Sequence, residues 1–182
     1  MRVLPVALAC ALVVTFAREA APASGLAPLT AEQVRLVMSE PGRHVRAADP
    51  AMSAVIADGM RRSGTFAHLV LALNKSDVIV YIESGRQMPT TIVGRMLLVA
   101  GPAGYRYLRI QVSGHQRSNE LIATVGHELR HALEVAESSS VRDESSLIAL
   151  YERIGHPSTG TRHYDTAAAQ ATGRQVKAEL IG

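Results

Sequence analysis

Hydrophobic positions along the chain change period twice, from helical spacing to alternation and back. Thr30 and Gln33 form a capping-box pattern, and Val34, Val37 and Met38 follow at helical spacing until Pro41-Gly42, which predicts a short first helix. Asp49-Pro50 opens a second, with Met52, Val55, Ile56 and Met60 on one face and Gly64 past its end. Phe66, Leu69, Val70 and Leu73 continue in a third that stops near Asn74. Three amphipathic helices need another layer to cover.

The segments DVIVYIE (77–83), IVGRMLLVA (92–100) and YRYLRIQV (105–112) read as strands, the last two joined in a hairpin through Gly101-Pro102-Ala103-Gly104. Leu108, Ile110 and Val112 alternate with Tyr107, Arg109 and Gln111, as in a strand with one face on the core and one in water. From Ser118 the period is helical again: Leu121, Ile122, Val125, Leu129, Ala132 and Leu133 form an apolar stripe that ends near Glu137. ESSLIALYERI (144–154) predicts a further helix closed by Gly155 and a His156-Pro157 turn, and DTAAAQATGRQVKAELIG supplies the last. The expected class is α+β, with N-terminal helices, a small antiparallel sheet, a helix after the hairpin and C-terminal helices.

Composition narrows the picture. A chain of 182 residues with 47% hydrophobic and 19% charged positions can build one real core, and no repeat or linker divides it. Lys and Arg are scattered, tryptophan is absent and aromatics are 4%, which argues against a nucleic-acid surface. Residues 1–23 read as a secretory signal peptide: Arg2, an apolar run from Val3 to Phe16, and a small-x-small site at Ala21-Pro22-Ala23. That run is shorter than the roughly 20 residues that span a bilayer, so the membrane is expected to matter only during export. Residues 24–182 are then one domain, secreted or periplasmic. Cleavage would remove Cys10, leaving no thiol for catalysis, disulfides or metal binding.

The chemistry concentrates in TVGHELRHALEVAE (124–137). His127 and His131 are four residues apart on a predicted helix, so their rings stack on one face about 6 Å apart and both can reach one ion. Glu128 lies about 100° around the helix. It can stand beside the ion without binding it, where a carboxylate can take a proton from water. The alternative is a solvated helix that happens to carry two histidines.

His127-Glu128-Leu129-Arg130-His131 matches the H-E-x-x-H zinc pattern. With the helices, the small sheet and the later helices around it, roughly from Asp77 to Ala171, the chain resembles the gluzincin-type zinc metallopeptidases, in the compact single-domain minigluzincin arrangement. HELRHALE, LYERIG and YDTAA also resemble a family of secreted bacterial proteins. The resemblance implies one zinc ion held by His127 and His131, with Glu128 as general base and proton shuttle. It implies a peptide or protein substrate. It also implies that the 105–112 strand is the sheet edge bordering the cleft.

Glu134 and Glu137 stand where a metzincin would have glycine and histidine, which argues against that clan. In gluzincins an acidic residue on a later helix completes the site, and Glu144, Glu152 and Asp165 are candidates, with Glu134 a further one. Glu134 starts about 7.5 Å along the axis from the level of the ion, so holding a ligand or pairing with Arg130 is its easier role. Asp165 comes from a separate segment and is expected ahead of it, the alternative being a helix N-cap. His163, Tyr164 and Tyr151 are candidate donors to a tetrahedral oxyanion. The expected function is an exported zinc metallopeptidase; the competing one is a non-catalytic exported protein with a zincin-like fold that serves as an interaction module.

Overall fold

The computed structural model describes residues 26–85, 88–89, 92–99, 101, 104–157 and 164–182. The expected signal peptide and His163 lie outside the described residues. The fold is α+β. Helices α1 (Ala31–Ser39), α2 (Pro50–Arg62) and α3 (Gly64–Leu73) come first, interrupted after α1 by strand β1 (Val45–Ala47). Each helix starts where a side chain satisfies its free amides: Thr30 and Gln33 make the capping box of α1, Asp49 accepts from Met52 N, and Ser63 accepts from Phe66 N.

Strands β2 (Val78–Ser84), β3 (Gly94–Val99) and β4 (Arg106–Val112) join β1 in a sheet of order β1-β2-β4-β3. The sheet is mixed, which corrects the antiparallel expectation. β1 runs parallel to β2 and β2 parallel to β4, while only β3 and β4 pair antiparallel. Gly104 turns the chain into β4 with φ 98°, a conformation that costs glycine little.

The expected edge strand is also corrected. β4 is paired on both sides, and β3 is the edge. Burial explains the order: Val80 and Ile82 of β2 match Leu108 and Ile110 of β4 in register, Val78 matches the buried Arg106, and the four apolar partners and Val78 are fully buried on one face. β3 carries Arg95 and the exposed Leu97, and a half-covered strand fits only at an edge. On the opposite face of the sheet a polar ladder runs across the strands. Gln111 Nε2 donates to Glu83 Oε1 (2.6 Å) and Arg95 Nε to Gln111 Oε1 (2.7 Å).

Helix α4 (Ser118–Glu137) packs on the buried face of the sheet, followed by α5 (Glu144–Ile154), the short strands β5 (His156–Pro157) and β6 (Tyr164–Asp165), and α6 (Ala167–Ile181). Ile122, Val125, Leu129 and Ala132 of α4 share one apolar cluster with Ile56, Met60, Phe66, Leu73 and the inner strand residues. The C-terminal end of α4 is fixed from the sheet. The buried Arg106 guanidinium donates to the carbonyls of Val135 (2.6 Å), Ala136 (3.2 Å), Ser138 (2.7 Å) and Val141 (3.4 Å), and also pairs with Asp77. A cation there meets both the unpaired carbonyls and the negative end of the helix dipole. Among the described residues no helix is long and apolar enough to cross a membrane.

Candidate metal centre

The apolar stripe of α4 faces the core, which turns His127 and His131 toward a cleft on the other side of the helix. Their ring centroids are 4.9 Å apart at an interplanar angle of 79°. Asp165 arrives from β6, where His156 and Asp165 are paired partners across the two-residue ladder with β5. The expected His156-Pro157 turn is therefore one arm of the strand pair that carries this carboxylate. Oδ1 of Asp165 lies 3.4 Å from Nε2 of His127 and 3.6 Å from Nε2 of His131. All three potential ligand atoms fall within 4.8 Å of one another, so the cluster could hold a metal ion.

Asp165 is held by its neighbours. Its Oδ1 accepts from the Thr166 amide (2.7 Å) and its Oδ2 from Gln170 Nε2 (3.0 Å). The N-cap of α6 is Thr166, whose hydroxyl accepts from Ala169 N (3.0 Å), so Asp165 is free of the capping role. The same hydroxyl donates to Glu134 Oε1 at 2.7 Å. Glu134 in turn places Oε2 2.9 Å from Nδ1 of His131, on the ring nitrogen that does not face Asp165. It also lies 3.7 Å from Arg130 Nε. Glu134 thus orients a histidine and is not one of the three groups whose ligand atoms converge.

Burial lowers the pKa of His127, helped by the charge of His131. Burial also works against a charged His131, but the carboxylates of Asp165 and Glu134 outweigh it and push that ring up to about 9. For Asp165, desolvation raises the pKa, yet its bonds from His131 and Gln170 hold it well below the usual carboxylate range. Glu128 is buried, and desolvation pushes it up to about 7 against the pull of His131. A carboxyl tuned that far sits where it can both take and give a proton near neutrality.

The cleft has a volume of about 1090 Å³. Its floor is α4, one wall is the edge strand β3, and the other is built from α5, β6 and α6. Two glycines let the walls close in. A Cβ at Gly94 would stand 2.6 Å from Glu128 Oε1, and one at Gly173 would stand 3.3 Å from His127 Cβ. Tyr164 lines the cleft and stacks on Tyr151 with ring centroids 6.5 Å apart. The Tyr151 hydroxyl donates to the His131 carbonyl at 3.3 Å, which engages it away from an oxyanion position. Glu144 borders the cleft, while Glu152 is exposed and not part of its lining.

Thr166, Gln170 and Gly94 were not visible as site residues in the sequence. Thr166 had one usable signal, a hydroxyl residue directly before a helix-forming run. Compared with protein-family models, curated protein sequences and solved structures, the chain finds no match in any of the three.

Proposed function

We propose that this protein is an exported zinc metallopeptidase that hydrolyses peptide bonds, with His127, His131 and Asp165 as the zinc ligands. The observation that carries the reading is the approach of one Asp165 oxygen to both Nε2 atoms, at 3.4 and 3.6 Å. Two ligand atoms each about 2.05 Å from a tetrahedral zinc are about 3.4 Å apart. Two imidazoles and one carboxylate with an open position toward a cleft are also a catalytic donor set, since a structural site closes all four positions.

Bound zinc would supply a Lewis acid that polarises a carbonyl and acidifies water. The chain's own residues do the rest. Glu128, which lines the cleft beside the cluster, accepts the proton of the attacking water and passes it to the leaving amine. Glu134 holds His131 by Nδ1, so that Nε2 points into the site. Tyr164, half-buried in the cleft wall, is assigned the donor to the developing oxyanion. The unpaired edge of β3 offers main-chain partners to an extended peptide laid along the cleft.

The test is metal content and activity together. Purified protein is expected to hold one zinc per chain and to cleave unstructured peptides, and Glu128→Gln to keep the zinc and lose at least a hundredfold in kcat. Zinc retained without cleavage of any peptide would instead favour a non-catalytic interaction module.

A further inference from the structure

The charges along the cleft are unevenly compensated. Gln170, Gly173, Arg174 and Lys177 line it from α6 at spacings that share one helical face. Gln170 bonds Asp165, and Gly173 touches His127. Lys177 pairs with Glu120 of the neighbouring α4 at 2.7 Å. Among the other carboxylates of the lining, Asp165 is held by the histidines and Gln170, Glu128 is buried next to Gly94, and Glu144, exposed on α5, makes no ion pair among the described residues. Arg174 is exposed in the cleft and, among the described residues, makes no ion pair. The cation Arg95 is engaged elsewhere, bonded to Gln111 in the polar ladder.

Direction follows from how the elements cross. Gly173 meets His127, Val176 meets Gly126, Lys177 meets Glu120 and Asn119 reaches the Leu180 carbonyl. Helix α6 therefore runs antiparallel to α4, and Arg174 lies on the N-terminal side of the metal cluster. β3 runs in the same sense as α4: Gly94 touches Thr124 and Glu128, whereas Val99 pairs with Tyr107, next to the Arg106 that grips the end of α4. A peptide added antiparallel to β3, the commoner pairing, runs toward Arg174 with its C-terminal part. Arg174 is about 6 Å along α6 from Gln170, which an extended chain covers in about two residues.

We infer that Arg174 recognises a carboxylate one or two residues beyond the scissile bond on its C-terminal side, either the substrate's terminal carboxylate or an acidic side chain. A guanidinium can bind it through two parallel hydrogen bonds. The inference rests on the peptidase reading for its register, but its test separates the two.

Zinc-loaded Glu128→Gln protein is titrated with N-terminally labelled hexapeptides. One pair differs in a free against an amidated C-terminus. The other is amidated and carries Asp or Asn, scanned through each position. The acid member of at least one pair should bind about tenfold more tightly, and adding Arg174→Gln should bring that ratio to about one, with Arg174→Lys restoring part of it. A preference in the first pair alone identifies the terminal carboxylate, and in the second the side chain. Equal binding within both pairs, or a preference that survives Arg174→Gln, overturns the inference. Digestion of the same peptides by wild-type protein reports on the other reading. Carboxylate preference without cleavage keeps the role of Arg174 and removes the peptidase, and cleavage without preference does the reverse.

Discussion

The carboxylate of Glu134 stands 2.9 Å from Nδ1 of His131, while Asp165 approaches Nε2 of the same ring at 3.6 Å. One imidazole is thus held between two carboxylates with separate tasks. Asp165 shares the ring face that can meet an ion, and Glu134 fixes the ring from behind.

These tasks predict an order of metal affinities. Glu134→Ala should weaken zinc binding by roughly 10 to 100-fold, the usual cost of losing a carboxylate behind a histidine ligand. Asp165→Ala should weaken it much further, because a donor atom is lost. Competition against a chromogenic chelator, with folding checked by circular dichroism, measures both; loss of metal in Glu134→Ala alone would reverse the assignment.

Gly94 gives a prediction about the reaction rather than the metal. Its missing side chain leaves room for Oε1 of Glu128, which an added Cβ would approach to 2.6 Å, and Thr124 Cγ2 would lie at 2.8 Å. Real Cβ atoms are not found that close to their neighbours, so Gly94→Ala must displace the carboxylate or the strand. The variant should keep its zinc and its far-ultraviolet spectrum and lose at least tenfold in kcat. Unchanged kcat would show that the edge strand does not position Glu128.

The Arg106 clamp ties the sheet to the end of the helix that carries both histidines. Its side chain is 4% exposed, and its partner Asp77 is 38% exposed. Arg106→Met should cost about 1–3 kcal/mol, the scale of buried carbonyls left without a donor, because the half-exposed Asp77 can turn to water. The bond from Arg106 lowers the Asp77 pKa. Because the folded value lies below the unfolded one, the stabilisation is fully present above the ordinary aspartate range and is lost as pH falls through the depressed value. Urea titrations of wild type and Asp77→Asn should therefore differ at pH 7 and converge in strong acid.

What the sequence revealed follows from which signals are local. The helices were readable because their apolar stripes, and starts such as Thr30 and Asp49, lie within a few residues of one another. The three long strands were readable for the same reason. β1 was not, because Val45–Ala47 is too short to show alternation. The strand order was hidden as well: pairing β2 with β4 and sending β3 to the edge depends on burial matched across the chain. At the site, titratable residues declared themselves. Thr166, Gln170 and Gly94 act through a hydroxyl, an amide and an absent side chain, and none of these marks a sequence as catalytic.

Glu179 carries the last prediction, because it holds the distal end of the helix that supplies Gln170, Gly173 and Arg174. From the last turn of α6 its carboxylate accepts from Ser63 Oγ (2.5 Å), Thr65 N (3.1 Å) and Thr65 Oγ1 (2.7 Å), at the N-terminus of α3. It therefore caps a second helix from a distance, and its negative charge meets the positive end of the α3 dipole. Desolvation raises its pKa, but bonds from Ser63, Gln175 and Thr65 outweigh this and leave it lowered. A depressed folded value means that the contribution is present above the ordinary glutamate range and disappears as pH falls through the folded one. Glu179→Ala should cost roughly 1–2 kcal/mol at pH 7, the scale of a lost cap, or a fall in Tm of about 2–8 °C for a chain of this size. The difference from wild type should shrink steadily on acidification. A gap in Tm that stays constant from pH 7 to pH 3 would mean that Glu179 acts through packing and not through its charge.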